Sequence, residues 1–164
     1  MITQERLKEV LSYDPDTGVF TWLTRPTNSV RVGDIAGCID SSTGYRVIRV
    51  DKVLHYAHRL AWLFISGCLP NEEVDHIDRD RLNNKIDNLR EATSKQNKAN
   101  MRVGSRNTSG VKGVSWNKKM GKWSVTANIS GRSTNFGCYA DKDEAAMIYR
   151  NAAIKEHGEY ALNV

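Results

Sequence analysis

The sequence lacks several things, and each absence removes a class of answer. No run approaches the ~18 apolar residues of a membrane-spanning helix, so no membrane partner is expected. Met1-Ile2-Thr3-Gln4-Glu5-Arg6 has no apolar core of a secretory signal, which leads us to expect a cytoplasmic protein. Cysteine is scarce, at three residues: Cys38, Cys68 and Cys138. An odd number of widely spaced thiols with no C-x-x-C supplies neither a disulfide framework nor a structural zinc site, and suits a reducing compartment. No repeat or low-complexity segment is present. The most informative absence is that of acid: no Asp or Glu lies between Glu91 and Asp141.

That acid-free interval holds Lys95, Lys98, Arg102, Arg106, Lys112, Lys118, Lys119, Lys122 and Arg132. Residues 1–100 balance 14 Lys+Arg against 14 Asp+Glu, whereas residues 101–164 hold 10 against 5. The whole net charge of +5 therefore lies in the C-terminal part. A segment that excludes carboxylates and collects cations suits a polyanion such as double-stranded DNA.

Along the chain, Thr3 is placed to cap a short helix over 4–11, and Asp14-Pro15-Asp16-Thr17-Gly18 reads as a turn before a strand at Val19–Trp22. Residues 24–44 read as loops and turns. Residues 45–50 and 53–56 alternate as a β-hairpin around Asp51-Lys52, followed by a helix over 57–65 that Gly67 ends. His58, which opens that helix, reads as a packed or surface residue. Val74–Ile77 is a short strand; the Asn83-Asn84 and Asp87-Asn88 pairs are turn chemistry, and Thr93 or Ser94 caps a helix reaching Asn100. Gly104–Gly110 reads as a linker. Three strands follow, at 111–116, 122–129 and 133–139, then a helix over 142–157 capped by Asp141 with an alanine-rich face. Of the two tryptophans there, Trp123 is expected to serve the core. The expected class is α+β, divided into 1–103, a linker at 104–110, and 111–164.

Chemistry concentrates between Val74 and Asn97. Hydrolysis of a phosphodiester needs a base to take the proton of water and a hard cation to compensate charge on phosphate. Magnesium is held by few protein oxygens, so one Asp and one Asn carbonyl suffice, with a neighbouring histidine as base. Residue type alone leaves this reading open, because Asp-His pairs and Asn-rich turns are common in proteins without such activity.

Val74–Asn97, with Gly44-Tyr45-Arg46 and His58-Arg59-Leu60-Ala61-Trp62 upstream, resembles the HNH nuclease motif of bacteriophage and intron-encoded homing endonucleases, over about residues 15–103. The resemblance implies a ββα-metal unit in which Asp75 and Asn97 hold one divalent ion, Mg²⁺ or Mn²⁺, and His76 is the general base. Asn88 would brace the loop and help to orient His76. Asn97 stands where many members carry a second histidine, which favours a hard ion. No further small-molecule cofactor is implied.

Lys112-Gly113-Val114, Gly121-Lys122-Trp123, Phe136-Gly137, Glu144-Ala145-Ala146, Tyr149 and Ala152-Ala153 together resemble the plant APETALA2/ethylene-response-factor DNA-binding domain. That resemblance implies a three-stranded antiparallel sheet packed on one helix and laid in the major groove. Lys112 stands at an Arg contact position of that family, whereas Ser115, Asn117, Asn128, Ser133 and Asn135 replace other Arg and Trp contacts. The expected DNA-contacting set is Lys95, Lys98, Arg102, Arg106, Lys112, Asn117, Lys118, Lys119, Lys122, Asn128, Arg132 and Asn135. The combined expectation is a homing-type endonuclease that nicks DNA as a monomer. Its rivals are a DNA-binding regulator with a vestigial site and a nuclease without sequence preference.

Overall fold

The Thr3 hydroxyl accepts the Arg6 amide at 3.2 Å and caps α1 (Gln4–Val10). The computed structural model describes residues 2–161. It divides into two units, Met1–Thr93 and Ser94–Val164. The division falls ahead of the 104–110 stretch, so the helix bearing Asn97 belongs to the second unit.

In the first unit α1 runs directly into β1 (Leu11–Asp14), which pairs antiparallel with β2 (Val19–Trp22) across the expected Asp14–Gly18 turn. The helix stops one residue short of the expected 4–11 because Leu11 is extended and pairs with Trp22. Within the expected loop region, Cys38–Ile39 forms a two-residue strand, β3, on the edge of β4 (Arg46–Val50). β4 continues into β5 (Val53–Tyr56) through Asp51 and Lys52, both at positive φ (48° and 69°). Two successive positive φ values match the right-handed twist of a two-residue hairpin.

Next comes α2 (Ala57–Ser66), closed by Gly67 in the left-handed conformation. β6 (Glu73–His76) then pairs with β7 (Leu89–Ala92), joined by the loop 77–88. Leu7, Leu11, Phe20, Ile48 and Leu60 are fully buried and form the centre of one core, which Val74 and Leu89 join. The β6–β7 hairpin is thereby anchored by its apolar residues, which fixes where its polar ones face.

The second unit opens with α3 (Ser94–Asn100). β8 (Val114–Asn117), β9 (Lys122–Ile129) and β10 (Arg132–Tyr139) form a three-stranded antiparallel sheet with β9 central. It is backed by α4 (Lys142–His157), whose Asp141 cap accepts the Asp143 and Glu144 amides. Val114, Val125 and Ala145 are its buried centre, with Trp123, Phe136 and Tyr149 packed around them. Gly113 is dictated by this packing. Its φ is +65°, and a Cβ there would lie 2.2 Å from the Tyr149 ring. Among the described residues no helix is long and apolar enough to cross a membrane.

Candidate functional site

Register places the key residues of the β6–β7 hairpin. Asp75 faces Arg90 and His76 faces Leu89 across the ladder. Asp75 is buried, and the Arg90 guanidinium reaches its Oδ2 from Nε and from Nη2, at 3.1 and 3.0 Å. A cross-strand pair of opposite charge is the ordinary way for a sheet to hold a buried carboxylate. Sequence reading passed over Arg90; its signal was a lone cation in the strand returning opposite Asp75.

His76, 4% exposed, sits in a cluster of rings. The His58 ring meets it edge to face at 5.1 Å between centroids, and Tyr45 lies at 5.9 Å. Tyr56 stacks on His58 at 5.5 Å, and Arg81 covers Tyr45 at 4.9 Å. Burial lowers the His76 pKa below the usual histidine value, partly offset by Asn84 and by Asp78, Asp75 and Asp80. A base must be neutral before it can take a proton, so this shift suits that use. Burial also drives His58 down, to about 3, with the His76 and Arg59 charges acting the same way. His58 is the packed residue expected, but it packs against His76.

Asn88 ties the loop. Its amide donates to Asp78 Oδ1 at 2.9 Å and to the Asn83 carbonyl at 2.8 Å, while its own Oδ1 accepts the Asp78 amide at 3.1 Å. Asn83 adds a bond to Asp78 Oδ2 at 2.6 Å. These bonds cross-tie the loop through the exposed Asp78, and the backbone carbonyl of Asn88 accepts the Ile77 amide at 2.9 Å. Asn84 Oδ1 lies 3.1 Å from His76 Nε2. Nothing in composition distinguished Asn84 from an ordinary turn asparagine; only its burial does.

Among the described residues no three His, Cys, Asp or Glu side chains gather as a metal cage. The donor set offered by sequence, one Asp carboxylate and one Asn amide, consists of hard oxygens and fits Mg²⁺ or Mn²⁺.

In the second unit the sheet has two unlike faces. Val114, Val125 and Ala127 turn toward α4. Ser115 pairs with Ser124, Asn117 with Lys122, Thr126 with Asn135 and Asn128 with Ser133, so the alternate face is polar and carries no carboxylate. Lys118, Lys119, Lys122, Asn128, Arg132 and Asn135 are exposed, as are Lys95, Lys98, Arg102 and Arg106. Lys95, Lys98 and Asn128 come together with Tyr149, Glu156 and His157 around a cavity of about 210 Å³. Three of the expected contacts have local work. Lys112 Nζ donates to the Ala99 carbonyl at 2.6 Å, at the C-terminal end of α3. Asn117 Oδ1 accepts the Lys119 and Met120 amides of the β8–β9 turn, and Asn135 Oδ1 accepts the Gly137 amide at the β10 bulge. Trp123 is half-buried against the core, while Trp116 is 48% exposed and meets it edge to face at 5.0 Å.

A buried Asp-His pair on a β-hairpin, with the hairpin loop cross-tied by asparagines, has the makings of a hydrolytic site. The HNH endonuclease family model matches residues 55–99, which span this hairpin. Protein 3.8 of Escherichia phage T7 is 38% identical over 105 residues, covering 63% of this chain and 86% of that protein. The Uncharacterized HNH endonuclease L560 of Acanthamoeba polyphaga mimivirus is 39% identical over 106 residues. That match covers 63% of this chain, which spans about half, 54%, of the mimivirus protein. No solved structure matches the chain. The chain belongs to the HNH endonuclease family, and is by that membership a DNA nuclease.

Proposed function

We propose that this protein is a homing-type endonuclease that hydrolyses one phosphodiester of double-stranded DNA per encounter, with His76 as general base. The observation that carries the reading is the buried Asp75-His76 pair inside the stretch that matches the HNH family. His76 takes a proton from water as the water oxygen bonds to phosphorus. The bond from phosphorus to the 3′ oxygen breaks, that oxygen gains a proton from solvent, and the products are a 5′-phosphate and a 3′-hydroxyl. Asp75 would hold a divalent ion, Mg²⁺ or Mn²⁺, with Asn97 as the second ligand that the family resemblance implies, and the ion would supply Lewis-acid stabilisation of the charge on phosphate. Asn88 keeps the loop after His76 in shape through Asp78 and Asn83.

The second unit, whose residues 94–140 hold no carboxylate side chain, positions the substrate as an APETALA2-like module would. Lys95, Lys98, Arg102, Arg106, Lys118, Lys119, Lys122 and Arg132 neutralise phosphates, while Asn117, Asn128 and Asn135 on the polar sheet face meet base edges. Lys112 supports the same surface through α3. One such site per chain suits nicking by a monomer, in the cytoplasm of an infected host.

Run-off sequencing of products from a long natural DNA tests the homing assignment. Cuts recurring at a few positions are expected; breaks scattered without preference would leave only a nonspecific nuclease.

A further inference from the structure

We propose that Asn84 is a positioning residue that fixes the tautomer of His76, placing the proton on Nε2 and the proton-accepting lone pair on Nδ1. This rests on the nuclease reading above, in which His76 is the base.

The argument begins with the orientation of one amide. Asn84 Nδ2 donates to the Leu82 carbonyl at 3.2 Å, and Oδ1 faces His76 Nε2 at 3.1 Å. Turning the amide over would set Oδ1 against the Leu82 oxygen, two acceptors with no hydrogen between them. At a site only 1% exposed, water cannot relieve that clash. Oδ1 therefore faces the ring, and an amide oxygen only accepts. Nε2 must be the donor, and a neutral imidazole then carries its lone pair on Nδ1.

Asn84 is itself held by the N-terminal hairpin. The Tyr13 hydroxyl donates to the Asn84 carbonyl at 2.7 Å. Gly18, at φ +72°, lies so close that a Cβ there would fall 2.5 Å from Asn84 C and Lys85 N. The first hairpin, outside the residues that the family model matches, thus packs directly on the Asn84 backbone. On the ring's other flanks His58 and Tyr45 fix its plane. Tautomer and ring orientation are set by separate groups, the arrangement that a one-directional proton transfer requires.

The test uses the full-length protein, ¹⁵N-labelled at histidine, and three variants. In the parent, the His76 ¹⁵N spectrum is expected to show Nε2 protonated and Nδ1 bare. Asn84→Leu, similar in volume but unable to accept, should mix the tautomers and lower kcat for nicking of a supercoiled plasmid about 10- to 100-fold with KM nearly unchanged. Asn84→Gln, which keeps an acceptor for Nε2 and a donor for the Leu82 carbonyl, should restore the tautomer and part of kcat. Gly18→Ala should act in the direction of Asn84→Leu, more weakly. A parent spectrum with Nδ1 protonated would overturn the proposal, as would parental kcat in Asn84→Leu. If Asn84→Leu does not fold, the parent spectrum and Asn84→Gln decide alone. A parent that cuts no DNA with any divalent ion would defeat the nuclease reading instead, and leave the spectrum to decide the tautomer.

Discussion

Arg90 closes on a single oxygen of Asp75, with two nitrogens at 3.1 and 3.0 Å, from the position directly opposite it on the neighbouring strand. This guanidinium both stabilises the buried carboxylate and withdraws part of its charge from any cation. Arg90→Met should cost about 3 kcal/mol of stability, because a buried ion pair loses one partner. It should also lower the Mg²⁺ concentration that half-saturates nicking. Thermal melts without metal, and metal titrations of activity, read the two effects separately. A variant that is destabilised and also needs more Mg²⁺ would contradict this account of the pair.

His58 makes the first unit acid-sensitive. Its folded-state pKa, about 3, lies below the ordinary value of 6.5. Above that ordinary value both states are neutral and no stability depends on it. As pH falls below it, the unfolded chain takes up a proton that the folded chain refuses, at up to about 1.4 kcal/mol per pH unit. Urea titrations of the parent and His58→Phe should therefore diverge by about 2 kcal/mol, in favour of the variant, between about pH 7 and pH 5. An unchanged difference between the two proteins would show that His58 is not held neutral.

Much of this arrangement was legible beforehand, and the reasons are local. Thr3, Asp141 and Gly67 marked helix ends because caps depend on one side chain or on one positive φ. The Asp51-Lys52 hairpin followed from alternation on both sides of two residues. What escaped was tertiary. Leu11 left α1 because Trp22 was available as a strand partner, and the work of Asn84 depends on Tyr13 and Gly18, about seventy positions away. The bond from Lys112 to the Ala99 carbonyl was likewise invisible in the sequence, where only the charge of Lys112 shows.

Two glycines separate backbone strain from crowding in the second unit. At Gly121, φ is +61° and the space around a Cβ is open, so Gly121→Ala should cost about 1–2 kcal/mol. At Gly113 the same strain is joined by the Tyr149 ring and the Thr126 carbonyl, the latter 2.4 Å from a Cβ. Gly113→Ala should cost more than about 3 kcal/mol. Equal melting temperatures for the two variants would contradict the packing described.

Salt dependence sorts the contacts of the sheet. Lys122→Ala and Arg132→Ala should each flatten the slope of log K against log salt by about 0.9, the value of one phosphate contact on duplex DNA. Asn128→Ala should leave the slope unchanged and weaken binding to preferred sequences more than to random ones. A reduced slope for Asn128→Ala, or none for the two cations, would reverse these assignments.

The central claim, that His76 is the base of a DNA-cutting site, is tested most directly by the single-turnover rate of plasmid nicking in Mg²⁺ for the parent and for His76→Ala. The account predicts that the parent nicks and that the variant is slower by about 10²- to 10⁴-fold while still binding the DNA. Undiminished nicking by His76→Ala would contradict it.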